Sequence, residues 1–139
     1  MVKGGNAFTR LFLFGEGTVR DLDAHAKAAY LAPHPTWASR TAALVFPREI
    51  PAGPTGRVAD WAGGVHDRLV AAFDDSRVTI AWPMRDTAFG PGILDDLWLA
   101  DFPGAEVHRV ADAGHYIQED AHETVVPLLL RHLARFDAP

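Results

Sequence analysis

A histidine set behind a glycine, in the run Ala111-Asp-Ala-Gly-His-Tyr-Ile-Gln-Glu119, is the stretch whose residue types come closest to chemistry. Imidazole titrates in the neutral range, so His115 is suited to take up and return a proton. Asp86, in the run Trp82-Pro-Met-Arg-Asp-Thr-Ala-Phe89, is the carboxylate best placed to serve it. Such a carboxylate accepts the Nδ1 proton, fixes the tautomer and stabilises the imidazolium, which makes Nε2 the working base. Asp112 is the rival acid, but it stands so close to His115 in sequence that it is read as shaping the turn. The attacking group that this pair would serve is missing. The 139 residues contain no cysteine and no Gly-x-Ser-x-Gly. Half of an active site is therefore expected, with no turnover by this chain alone.

For two such groups to meet, each must sit at the carboxyl end of a strand, where loops converge in open α/β sheets. Val78 to Trp82 is a continuous apolar, β-branched run, as in a strand buried on both faces. Ala105 to Val110 alternates like a second strand. Asp86 follows the first and His115 follows the second, with Gly114 read as allowing a tight turn before the base. A helix over Asp95 to Ala100 is expected between the strands, and an amphipathic helix over Glu119 to Phe136 after them. Glu119 and Asp120 are read as acids at the favourable end of that helix.

Upstream, helices are expected over Asn6 to Phe14, ending at Gly15-Glu-Gly17, and through Asp23 to Tyr30, capped by Thr18 or Asp21. Two more are expected over Trp37 to Phe46, with Thr36 as N-cap, and over Val58 to Phe73. The loop Pro51-Ala-Gly-Pro-Thr-Gly56 is the best internal boundary, dividing a helical part, residues 1–52, from an α/β part, residues 53–139. Strands alternating with helices imply a parallel sheet. Two strands leave such a sheet with unpaired edges, so further β-structure is expected from another chain or from sequence lost from this one.

Composition narrows the partners. A net charge of −5 with 13 scattered Lys and Arg gives no basic footprint, so neither nucleic acid nor an acidic membrane surface is an expected partner. No apolar run approaches the length of a membrane span, and no signal-peptide pattern opens the chain. The absence of cysteine excludes disulfides and thiolate metal sites and fits a reducing, cytoplasmic setting. His25, His66, His108, His122 and His132 show no ligand pairing, so no metal and no cofactor is expected. They are read as surface or filler, and Trp37, Trp61, Trp82 and Trp98 as packing residues.

Three stretches, in order, carry a family resemblance. They are Tyr30-Leu-Ala-Pro-His-Pro-Thr-Trp-Ala-Ser-Arg40 with Phe46-Pro-Arg-Glu-Ile-Pro51, then Trp82 to Phe89, then Phe102-Pro-Gly-Ala-Glu106 through Asp112 to Asp120. Nearly the whole chain resembles the C-terminal half of the haloalkane dehalogenase-like branch of the α/β-hydrolases. The resemblance implies a partial α/β-hydrolase fold: a helical cap remnant, then the last two parallel strands with flanking helices. It also implies covalent catalysis through an ester intermediate, with Asp86 as acid, His115 as base and the nucleophile outside this chain. A pocket for a small apolar haloalkane, ester or lactone would be lined by Phe8, His34, Pro35, Phe89 and Tyr116. His34 stands where an aromatic is common, and Pro83 where glycine is usual, which removes a backbone donor. The expected partner is an N-terminal hydrolase half or a second copy of the chain. The alternative is a non-catalytic remnant that acts as a binding or oligomerisation module.

Overall fold

A computed structural model describes residues 4–50 and 55–136. The expected boundary at 52/53 lies outside the described residues. By contact, the described residues form two compact units: residues 4–15 with 23–50 and 55–74, and residues 16–22 with 75–136.

The first unit is helical. Gly5 and Asn6 both take positive φ, 58° and 61°, in a conformation that glycine and asparagine tolerate best. Asn6 is buried there: its side-chain amide donates to His34 O at 3.3 Å, and its Oδ1 accepts from the Thr9 hydroxyl at 3.3 Å. A π-helical run, Thr9–Glu16, replaces the expected α-helix and continues through Gly15 instead of stopping there. Helix α1, Ala24–Leu31, is capped by Asp23, whose carboxylate accepts from Ala26 N at 2.7 Å. Thr18 and Asp21 therefore do not cap it. Helix α2 is shorter than expected, Thr41–Val45. Thr36 and Ser39 exchange hydroxyl and backbone hydrogen bonds in a turn of their own, which competes with helix over 36–40. Helix α3, Arg57–Ala72, matches its expected span to within one residue. Trp37 and Trp61 are largely exposed, so packing does not explain them.

The second unit holds the sheet. Strands β1, Thr79–Pro83, and β2, Glu106–Val110, pair in parallel, with Thr79 opposite Glu106 and Pro83 opposite Val110. Met84 N donates to Val110 O, and Glu106 N to Val78 O. Even-numbered residues of β1 thus direct their backbone groups toward β2, and Thr79, Ala81 and Pro83 direct theirs to the opposite edge. No strand lies on that edge among the described residues. Pro83 consequently removes no bond from the ladder.

Between the strands, helical turns follow end to end: α4, Pro91–Ile93, a π-helical turn, Leu94–Trp98, and α5, Leu99–Asp101. They begin earlier than expected because Pro91 presets the first helical φ. Leu94 and Phe102, 0% and 2% exposed, are the centre of the core with Ile80 and Ala113. Full burial of a side chain such as Leu94 stabilises by ~1.5–3 kcal/mol.

The closing helix is broken. Helix α6, Ile117–Asp120, and helix α7, His122–Ala134, are separated by Ala121 at φ −145°, ψ 35°. Leu128 of α7 is buried, but Val126, Leu129, Leu130 and Leu133 are exposed. An apolar hollow of about 140 Å³ lies between Thr79 and Ala81 of β1 and Val125, Leu128, Leu129 and His132 of α7. No helix of the described residues is long and apolar enough to cross a membrane.

Candidate functional site

The two strand ends bring Asp86 and His115 together. Nδ1 of His115 lies 3.0 Å from Oδ2 and 3.2 Å from Oδ1 of Asp86. The Asp86 side chain is 4% exposed and that of His115 26%, so the carboxylate is buried and the imidazole reaches solvent. A ring protonated on Nδ1 donates to the carboxylate, which leaves Nε2 as its basic atom.

Each partner is held by its own loop. Oδ1 of Asp86 accepts from Ala88 N at 2.7 Å and Phe89 N at 3.0 Å, a local turn of the kind that a short side-chain acceptor closes. Arg85 N donates to Ala113 O at 2.9 Å, tying the acid's loop directly to the histidine's. The proline at position 83 thus coexists with a well-anchored acid. Asp112 is exposed, and the hydrogen-bonded acid is Asp86.

Aromatic rings flank the imidazole. Phe89 lies tilted with its centroid 5.4 Å from that of His115, and Tyr116 meets it edge-on at 5.2 Å. Burial pushes the Tyr116 phenol above its ordinary value, so it stays neutral beside the base at physiological pH. The remaining residues expected to line a pocket lie in the first unit. Phe8 is half-buried and stacked on Phe12 at 5.4 Å, His34 Nδ1 is 3.2 Å from Ser39 O, and Pro35 is exposed. Among the described residues no cluster of His, Cys, Asp or Glu could hold a metal ion.

Gly114 is needed for a different reason from the one expected. Its φ is not positive; a Cβ there would stand 2.9 Å from Gly17 O and 3.3 Å from Asp120 Oδ2. The histidine loop is pressed against residues 17–20, and Tyr116 N donates to Gly17 O at 2.9 Å. Asp120, which the sequence presents only as a helix-end acid, is 1% exposed and accepts from the backbones of Val19, Arg20 and Gly114. Its one sequence signal is an acid just before the last helix, and two of its three donors lie about a hundred positions upstream. Nor are His108 and His132 filler: His108 pairs with Glu106 at 2.7 Å, and His132 Nδ1 meets the Thr79 hydroxyl at 2.9 Å.

Solved structures resemble the fold of this chain closely. The haloalkane dehalogenase from Bradyrhizobium elkani superimposes with a TM-score of 0.80 at 27% identity, over 97% of this chain and 47% of that one. The fold is a partial α/β-hydrolase fold, haloalkane dehalogenase-like. In sequence, the chain is 36% identical to a cis-3-alkyl-4-alkyloxetan-2-one decarboxylase of Xanthomonas campestris and 34% identical to a haloalkane dehalogenase of Bradyrhizobium diazoefficiens. These matches take in 86% and 90% of this chain but 39% of each relative. The chain therefore spans well under half the length of these relatives. It resembles the C-terminal half of such a hydrolase. No family model matches the chain.

Proposed function

We propose that this chain is the C-terminal portion of a dehalogenase-like hydrolase, residues 1–52 being the remnant of its cap and residues 53–139 part of its core. It supplies the acid, Asp86, and the base, His115, to a nucleophile carried by polypeptide outside these 139 residues. The observation that supports this most is the buried carboxylate on Nδ1 of His115, at the ends of adjacent parallel strands and between two aromatic rings.

In the proposed reaction a carboxylate nucleophile attacks a saturated carbon, and the leaving group departs with its bonding electrons, giving a covalent ester. His115 Nε2 then takes a proton from water, the resulting hydroxide adds to the ester carbonyl, collapse expels the alkoxide, which takes the proton of the newly formed acid and leaves as alcohol with the carboxylate restored, and the proton on His115 passes to solvent. Asp86 stabilises the imidazolium formed in that step. Phe89 and Tyr116 give the base an apolar surround suited to a small apolar haloalkane, ester or lactone. The range follows the relatives' names, which cover a haloalkane and an oxetan-2-one. The resemblance extends a substrate-contact role to Phe8, His34 and Pro35 in the first unit. A cysteine-free chain of this kind fits the cytoplasm.

The partner proposed is an N-terminal hydrolase half, which would add a strand along the open edge of β1. A second reading, a non-catalytic binding or oligomerisation module, is favoured by the exposed Val126, Leu129, Leu130 and Leu133 of α7. Co-expression with the N-terminal portion of the Bradyrhizobium diazoefficiens relative separates the two. The enzyme reading expects a complex that releases halide or hydrolyses activated esters, with the chain alone inactive. Failure to form that complex, together with a stable homo-oligomer of this chain in light scattering, would establish the module instead. Hydrolysis by the chain alone that His115→Ala abolishes would contradict the missing nucleophile.

A further inference from the structure

Asp120 sits at the end of α6, yet its carboxylate serves neither that helix nor the first turn of α7. Oδ1 accepts from Val19 N at 2.9 Å and Arg20 N at 2.8 Å, and Oδ2 from Val19 N at 3.0 Å and Gly114 N at 2.7 Å. The side chain of Arg20 goes elsewhere, to Glu123. A carboxylate buried to 1% exposure persists only if its lone pairs are satisfied, and here backbone N–H groups satisfy them.

These bonds surround His115. Gly114, immediately before it, is held by Asp120, and Tyr116, immediately after it, donates to Gly17 O on the same strap that Asp120 grips. The backbone on both sides of the imidazole is thus tied down, at Gly114 by Asp120 and at Tyr116 by Gly17. The bare Gly114 permits this approach, since a Cβ would stand 2.9 Å from Gly17 O. Leu22, Ala113 and Ala121 are buried around the same knot, which limits its freedom to relax.

We infer that Asp120 is the positioning residue for His115, holding the 114–116 backbone so that Nδ1 meets Asp86 and Nε2 is aimed for proton transfer. This rests on the proposed role of His115 as the base. Asp120 touches no reacting atom; it acts through the main chain.

The test uses the full chain labelled with ¹⁵N-histidine, whose ring shifts report which nitrogen of His115 carries the proton. In Asp120→Asn, which keeps the shape but removes the charge and one acceptor, the Nδ1-protonated form shared with Asp86 is expected to give way to a mixture of tautomers. Glu123→Gln removes the charge and one acceptor from the neighbouring tie between the same two segments and is expected to leave the His115 signals unchanged. That pairing separates positioning from general stabilisation. In the complex with an N-terminal half, Asp120→Asn is expected to lower kcat by ~10²-fold with KM little altered, as for a displaced catalytic group. A folded Asp120→Asn protein with wild-type His115 shifts would overturn the inference. Should that variant not fold, Gly114→Ala, which keeps the carboxylate but forces the loop off the strap, must produce the same change, and unaltered shifts there would equally overturn it. Asp86→Asn distinguishes failure of the underlying reading: if it leaves His115 untouched while Asp120→Asn does not, the acid assignment falls and the positioning role stands.

Discussion

The two compact units hold themselves together in different ways. Polar contacts in the first are mostly short-range, as between Thr36 and Ser39 or from Arg40 to His34 and Pro35, and none of its helices α1, α2 and α3 contains a buried residue. In the second, bonds join positions far apart in sequence, Val19 to Asp120, Arg20 to Glu123 and Asp86 to His115, around Leu94, Phe102 and Ala113. Short-range turns tolerate sequence change but position little, whereas placing an imidazole against a carboxylate to within a hydrogen bond requires groups fixed from several directions.

The sharpest way to break this contrast is through activity. In a reconstituted complex, His115→Ala is expected to slow the water-dependent step by about 10³-fold, seen as accumulation of covalent ester in rapid-quench mass spectrometry. Trp61→Ala in the first unit, at an exposed position, is expected to leave that step near wild type. Comparable losses from both would erase the distinction.

Stability gives the next largest effect. Leu94→Ala removes a side chain with no exposed surface and is expected to cost about 2–5 kcal/mol. Trp37→Ala, 62% exposed, should stay within ~0.5 kcal/mol in denaturant titrations. A large cost at Trp37 would reveal a core in the first unit that burial does not suggest. Smaller still, Asp23→Ala removes the α1 cap and is expected to cost ~1 kcal/mol. The loss should appear as faster amide exchange confined to residues 24–31, with β1 and β2 amides unchanged; spread into the strands would mean the units unfold together.

The smallest effect concerns pH. The hydrogen bond from Arg20 lowers the Glu123 carboxyl from its ordinary 4.5 to about 2. A depressed folded value means the pair's contribution is complete above pH ~4.5, the unfolded value, and is lost as pH falls toward 2. Melting temperatures followed across that window should decline less steeply in Glu123→Gln than in wild type. Equal slopes would show that the exposed pair adds nothing to the tie between residue 20 and the start of α7.

Local patterns made elements of both units legible. Both strands, the α3 helix and the order of acid and base follow from β-branched runs, alanine-rich periodicity and a Gly-His turn, because each is decided by neighbours in sequence. The α2 helix falls short of its expected span because the hydroxyls of Thr36 and Ser39 offer the backbone another set of bonds. The break at Ala121 was invisible because amphipathic spacing continues across it while Asp120 turns inward. The pocket role of Phe8, His34 and Pro35 rests on the family resemblance, and no local pattern marks Phe8 or His34 as more than packing.

Residue chemistry and order alone pointed to a histidine and an aspartate at the ends of strands in a parallel α/β framework, in a sequence with no Gly-x-Ser-x-Gly motif and no cysteine. Only the tertiary structure decided which carboxylate meets His115, that Gly114 is required by close approach to Gly17, and that Asp120 grips the backbone on which the base is carried. The reason is physical: strand and helix preferences are set within a few residues, but a hydrogen bond spanning about a hundred positions exists only once the chain has folded back on itself.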